Sequence, residues 1–191
     1  MAEDNYWDRI AAVRQDNVWK RAQIVRRLLA LDMIEQDVLE IGVGLGTAAA
    51  AINIAYLGCW RYQGTDVSAK NVALVKRWFG LDIVQASIDR MPFRPDRSVD
   101  VVWALDTLEH VKDKAAGYAE IDRVLRPYAR IVLNIPLDES AHDPEQEHGF
   151  TNSDYHHLLT ATRMETETWE QYTVRIPDAP PRHYAWAVAA R

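Results

Sequence analysis

Ten consecutive residues, Val38-Leu39-Glu40-Ile41-Gly42-Val43-Gly44-Leu45-Gly46-Thr47, have the make-up of a turn that holds a ligand. An apolar run feeds glycines at every second position, and small residues follow. Glycine lets the backbone approach a ligand closely, and the start of a helix offers unpaired N–H groups. The dinucleotide fingerprint G-x-G-x-x-G needs its last glycine at position 47. Thr47 stands there, and the third glycine comes early, at Gly46. The phosphate loop G-x-x-x-x-G-K-S/T fails because no lysine follows. A glycine turn with no ligand is the bland alternative. A second group, His142, Glu145, Glu147 and His148, supplies two imidazoles and two carboxylates. Its spacing matches no zinc signature, so no metal is expected; substrate contact and a solvated loop stay open.

These residues need a scaffold, and the rest of the chain reads as alternating helix and strand. That pattern implies an α/β fold: a mostly parallel, doubly wound sheet with helices on both faces. Residues 5–31 are expected to be helical, with Val18, Ala22, Val25 and Leu29 at helical spacing. Strands are expected at Asp37–Ile41, Tyr62–Asp66, Leu81–Ala86, Val99–Leu105 and Arg130–Ile135. Helices are expected at 46–57, after Ser68 to Trp78, at 112–126 with Pro127 ending it, and at 151–163 with Thr151 or Ser153 as cap. Tyr172-x-Val174-x-Ile176 and Tyr184-x-Trp186-x-Val188 alternate around Pro177-Asp178-Ala179-Pro180-Pro181, which predicts an antiparallel hairpin. Trp60, Trp78 and Trp103 fall on these patterns and are expected in the core. Asp106 closes the fourth strand, at the edge where ligands bind in such sheets. It either orients a ligand or caps the next turn.

The chain has 191 residues, a net charge of −6 and 48% hydrophobic residues, as one globular domain would. No apolar run reaches 18 residues, the N-terminus lacks an apolar stretch, and Cys59 is the single cysteine. No membrane span, secretory signal, disulfide or cysteine-built zinc site is therefore expected, and the location expected is cytoplasmic. The negative charge argues against nucleic-acid binding.

The motifs together resemble the class I S-adenosylmethionine-dependent methyltransferases, of the small-molecule, methyltransferase-11-like type. Glu40-x-Gly42-x-Gly44-x-Gly46 matches that family's E/D-x-G-x-G-x-G at every position. Gly64-Thr65-Asp66-Val67-Ser68 is similar to the family's second strand end. Ala86-Ser87-Ile88-Asp89-Arg90-Met91-Pro92-Phe93 resembles G-D-A-E-x-L-P-F, with Ser87 in place of the acid. Leu108-Glu109-His110-Val111 resembles L-E-H-V, and Leu125-Arg126-Pro127 resembles L-R-P-G-G, with Tyr128 and Ala129 replacing the glycines.

The resemblance covers residues 37–136 and implies a seven-stranded, Rossmann-like sheet whose last strand is antiparallel. It implies S-adenosylmethionine as cofactor, held by Glu40, Gly42, Gly44, Gly46, Asp66, Val67, Ser87, Ile88 and Ala104. Asp66 would take the ribose hydroxyls, Val67 the adenine face, and the amide of Ile88 the adenine. The implied organisation is a single domain, 1–191. It comprises an N-terminal helical lid (1–31), a cofactor-binding core (37–136), an acceptor segment (137–163) and a terminal hairpin (164–191). His110 is the first candidate for a general base and His148 the second. Tyr6, Trp7, Asp106 and His142 are candidates for the acceptor pocket. The activity implied is methyl transfer to an oxygen or nitrogen of a small molecule by a monomer or homodimer. Two rivals are a non-catalytic binding module of the same fold and a nucleic-acid or protein methyltransferase. A nucleic-acid amino-methyltransferase would show D/N-P-P-Y/F after the fourth strand, where Ala104-Leu105-Asp106-Thr107 stands. Thr47 disfavours a dehydrogenase.

Overall fold

The computed structural model describes residues 18–57, 59–137, 149–175 and 181–191. The elements are α1 (Val18–Leu29), β1 (Asp37–Ile41), α2 (Thr47–Ala55), β2 (Arg61–Asp66), α3 (Ala69–Phe79) and β3 (Ile83–Gln85). They continue with β4 (Val99–Leu105), a short 3₁₀ turn (Leu108–His110), α4 (Lys114–Val124) and β5 (Leu125–Pro136). The last are α5 (Asn152–Thr162), β6 (Glu165–Val174) and β7 (Arg182–Ala190). All the strands join one sheet in the order β3-β2-β1-β4-β5-β7-β6. β7 runs antiparallel to both neighbours, β5 and β6, while the pairs among β1 to β5 are parallel. The hairpin therefore enters the sheet second strand first.

Successive side chains of a strand point to opposite faces, and the core divides accordingly. One apolar cluster joins Leu39, Ile41, Val102 and Ala104 to Tyr118 and Ile121 of α4 and Leu158 of α5. The other joins Val38, Val101, Trp103 and Leu105 to Ile24 and Leu28 of α1, Ala49 and Ile52 of α2 and Val75 of α3. Local signals fix the helix ends. Ser68 caps α3 by accepting from Asn71 N, and Thr151 and Asp154 form a reciprocal capping box on α5.

The expected strands β1 and β4 have the predicted bounds, and the doubly wound architecture is the one expected. Two details differ. Trp60 and Trp103 are buried, but Trp78 is 55% exposed, because it sits in the last turn of α3 beyond the stripe that packs on the sheet. The helix expected to run to Arg126 ends at Val124. Pro127 disfavours a helical Arg126, and the chain enters β5 at Leu125 instead. Tyr128, at the family's glycine position, keeps the left-handed backbone (φ 65°) and is 90% exposed. Residues 5–17 of the expected first helix and residues 138–148 of the acceptor segment lie outside the described residues.

Candidate active site

The strand order reverses between β1 and β4, which leaves a crevice at the C-terminal ends of these strands. A cavity of about 390 Å³ occupies it. Its wall takes in Gly42 and Gly44 after β1, Asp66 at the end of β2 and Val67 after it, Ser87 to Asp89 after β3, and Asp106, Thr107 and His110 after β4.

The turn after β1 is built from left-handed residues, Gly42 (φ 72°), Gly44 (φ 56°) and Gly46 (φ 68°). Their uses differ. A Cβ at Gly44 would meet nothing within 4 Å, so open space lies over this turn. A Cβ at Gly46 would come within 2.7 Å of Val75 Cγ1, so this glycine lets α2 pack against α3. Thr107 fills the space beside Gly42 and donates from Oγ1 to Ile41 O at 3.0 Å.

Asp66 is buried and central. Its Oδ2 accepts from Gly44 N at 2.8 Å and its Oδ1 from Ser68 N at 2.8 Å, with Asn71 Nδ2 at 3.3 Å. One carboxylate thus joins the glycine turn to the first turn of α3, on the cavity wall.

Asp106 begins the loop after β4 with a left-handed backbone, φ 54°. Outside glycine that costs about 1–2 kcal/mol. Asn134 of β5 holds it twice, accepting from Asp106 N at 2.9 Å and donating from Nδ2 to its Oδ1 at 2.6 Å. The Tyr172 hydroxyl donates to Asn134 Oδ1 at 2.6 Å, which fixes the way the amide faces. Lys20 of α1 pairs with Asp106 Oδ2. Burial pushes the Asp106 carboxyl up, but the charges of Lys20 and Arg21 and the bonds from Lys20 and Asn134 hold it below its ordinary value. It stands as a carboxylate.

His110 lines the cavity, with Nε2 at 3.8 Å from Glu109 Oε1. Glu40 does not line it. It lies buried under the glycine turn and accepts from the Tyr62 hydroxyl at 2.7 Å. Burial pushes its carboxyl up to about 7, against the Tyr62 bond and the charge of Arg21.

Of the residues singled out in the sequence, Gly42, Gly44, Asp66, Val67, Ser87, Ile88, Asp106 and His110 come together around the cavity. Glu40, Gly46 and Ala104 support it from behind, with Ala104 packed in the core. Tyr6, Trp7, His142 and His148 lie outside the described residues. The sequence reading passed over Asn71, Asp89, Thr107, Lys112 and Asp113, which also line the cavity. Lys112 and Asp113 directly follow the Leu108–Val111 motif, so extending it by one turn finds them. Asn71 carries no such signal. Among the described residues no cluster of histidine, cysteine and carboxylate fits a metal ion, and no helix is long and apolar enough to cross a membrane.

A doubly wound sheet with a glycine turn after β1 and an acid after β2 defines a nucleotide-type binding domain. The family described as "Methyltransferase domain" matches residues 39–133. A probable S-adenosylmethionine-dependent methyltransferase of Mycolicibacterium smegmatis is 34% identical over 138 residues, covering 71% of this chain and 48% of that protein. A malonyl-[acyl-carrier protein] O-methyltransferase of Methylovorus is 32% identical, covering 65% of this chain and 44% of that protein. The crystal structure of the Burkholderia thailandensis 1,6-didemethyltoxoflavin-N1-methyltransferase, with 1,6-didemethyltoxoflavin and S-adenosylhomocysteine bound, superposes with a TM-score of 0.61. That likeness covers 92% of this chain and 79% of the other at 21% identity. The chain belongs to the class I S-adenosylmethionine-dependent methyltransferases, whose cofactor is S-adenosylmethionine. It spans less than half the length of these two curated relatives.

The residues present fit that cofactor. Open space over Gly44 leaves room for a ligand against the turn. Asp66 offers acceptors to a diol, and the exposed Val67 and Ser87 offer a shallow shelf beyond it.

Proposed function

We propose that this chain transfers a methyl group from S-adenosylmethionine to an oxygen or nitrogen of a small-molecule acceptor. The observation that carries the reading is Asp66. Its buried carboxylate faces a cavity beside an open glycine turn, at the switch point of the sheet. The bound cofactor supplies an electrophilic methyl group on a sulfonium. Asp66 binds the ribose hydroxyls, and Val67, Ser87 and Ile88 hold the adenine. Asp106 presents a fixed carboxylate to the far end of the cavity and orients what binds there. His110 lines the same cavity and takes the proton that a hydroxyl or protonated nitrogen loses as it is methylated. Most of the rate comes from holding acceptor and methyl donor in line, which this fold does by position alone. The names of relatives support the small-molecule reading: one is a 27-O-demethylrifamycin SV methyltransferase and another a 1,6-didemethyltoxoflavin-N1-methyltransferase. Calorimetry with S-adenosylhomocysteine, followed by a screen for its release from S-adenosylmethionine with candidate acceptors, tests the proposal. No binding of S-adenosylhomocysteine overturns it. Binding without turnover of any acceptor supports the non-catalytic module instead.

A further inference from the structure

Leu57 follows α2 in a way that costs the isolated chain twice. It takes a left-handed backbone (φ 50°) just past the helix cap at Tyr56, where glycine ordinarily stands, and it is 87% exposed. Single exposed apolar residues are ordinary, but Leu57 is not single. Ile54, in the last turn of α2, is 75% exposed, and Ile34, in the loop between α1 and β1, is 51% exposed. That loop is tied to the end of α2. Met33 N donates to the Tyr56 hydroxyl at 3.2 Å and Glu35 N to Cys59 O at 2.9 Å, so Ile34 stands between two anchor points that flank Leu57. Leu29, half-buried, ends α1 beside them. The helices run back from the C-terminal ends of the strands. This apolar surface therefore lies at the edge of the sheet opposite the cavity and has no part in the site above.

The charges at its rim say what covers it. Arg26 on α1 and Asp32 and Glu35 in the loop are all exposed. A two-fold interface sets one patch against its own copy, so a patch that fits itself needs both signs of charge. Across such an axis Arg26 of one copy meets the Asp32 and Glu35 side of the other, while the aliphatic side chains meet at the centre. An anionic membrane surface is repelled by the two acids and by the net charge of −6. We propose that a second copy of this chain covers Ile34, Ile54 and Leu57, in a two-fold dimer whose cavities open away from the contact. Burial of Leu57 in that contact offsets both of its costs.

Sedimentation of the full chain at rising concentration tests this. The mass should climb from one chain to two by about 100 μM, the strength of a weak homodimer. Leu57→Gly removes the contact and relieves the backbone at once. It should weaken dimerisation at least about tenfold, as loss of a central interface residue does, yet melt like the wild type at a dilution where both are single chains. Ile54→Asp should weaken the dimer by at least as much. Cys59 is the single cysteine and is exposed, two residues beyond Leu57, so it reports where the contact lies. Its alkylation by iodoacetamide should slow as the dimer forms. A wild type that stays a single chain at about 100 μM overturns the proposal. So does a dimer that survives both substitutions, or one in which Cys59 reacts at the single-chain rate. If neither variant folds, the concentration series and the Cys59 rate of the wild type decide.

Discussion

The amide of Gly44 donates to Oδ2 of Asp66 at 2.8 Å, so the acid that faces the cavity also holds the turn that frames it. Ser68 N and Asn71 Nδ2 converge on the other oxygen. Replacing Asp66 therefore acts on fold and ligand together. Asp66→Ala should lower unfolding stability by about 1.5–3 kcal/mol, the scale for hydrogen bonds to a charged group, and weaken S-adenosylhomocysteine at least about tenfold. Urea denaturation and calorimetry read the two effects. Unchanged affinity in folded Asp66→Ala protein would reject the ribose assignment.

Gly44 and Gly46 share a left-handed backbone but not surroundings, which separates binding from packing. Alanine at either position meets a backbone cost of about 1–2 kcal/mol. At Gly46 the new methyl also collides with Val75, whereas at Gly44 it enters open space. Gly46→Ala should be the less stable protein by thermal melting, and Gly44→Val the weaker binder of S-adenosylhomocysteine. Tight binding by Gly44→Val would mean that this turn is not the cofactor site.

Glu40 makes stability depend on pH. Burial moves its carboxyl from an ordinary 4.5 to about 7, so between these values the folded chain holds a proton that the unfolded chain has lost. Stability from this group is then full below about 4.5, falls as pH rises to about 7, and changes no further above it. At about 1.4 kcal/mol per pH unit the fall is on the order of 3 kcal/mol. Glu40→Gln keeps an oxygen to accept from Tyr62 and has no proton to lose. Its unfolding free energy, followed by denaturant titration from pH 4.5 to 8, should lack this fall. Parallel curves for the two proteins would place the titration elsewhere.

The sequence disclosed those parts of the site that are continuous in the chain. Glu40 to Gly46 and Asp66 to Ser68 are each a strand end with its turn, and their residue types are set by local backbone demands. What a motif does not show is which of its members face the ligand. Glu40, Gly46 and Ala104 match the family pattern, yet they lie under the cavity, because alternation along a strand and the tilt of a helix decide facing. The chain of bonds from Lys20 through Asp106 and Asn134 to Tyr172 was hidden for a different reason. Its members come from three elements and the loop after β4, which meet only once β5 lies between β4 and the hairpin. Trp78 misled because an apolar residue at a helix end reads like one in the middle.

His110 carries the last prediction. It lines the cavity from the 3₁₀ turn Leu108–His110, which follows β4 and Asp106. If the acceptor is a hydroxyl or a protonated nitrogen, the ring should take its proton as the methyl group moves. Base catalysis of this kind contributes about 10²–10⁴-fold, equivalent to roughly 3–5.5 kcal/mol of barrier. With an acceptor found by the release screen, His110→Ala should lower the single-turnover rate by at least about 10²-fold. Its affinity for S-adenosylhomocysteine should change little. A uniform loss of rate and cofactor affinity would instead make the ring a prop for the loop. Near-full rates in both His110→Ala and His148→Ala would mean that the site works by proximity alone, on an acceptor that arrives already deprotonated.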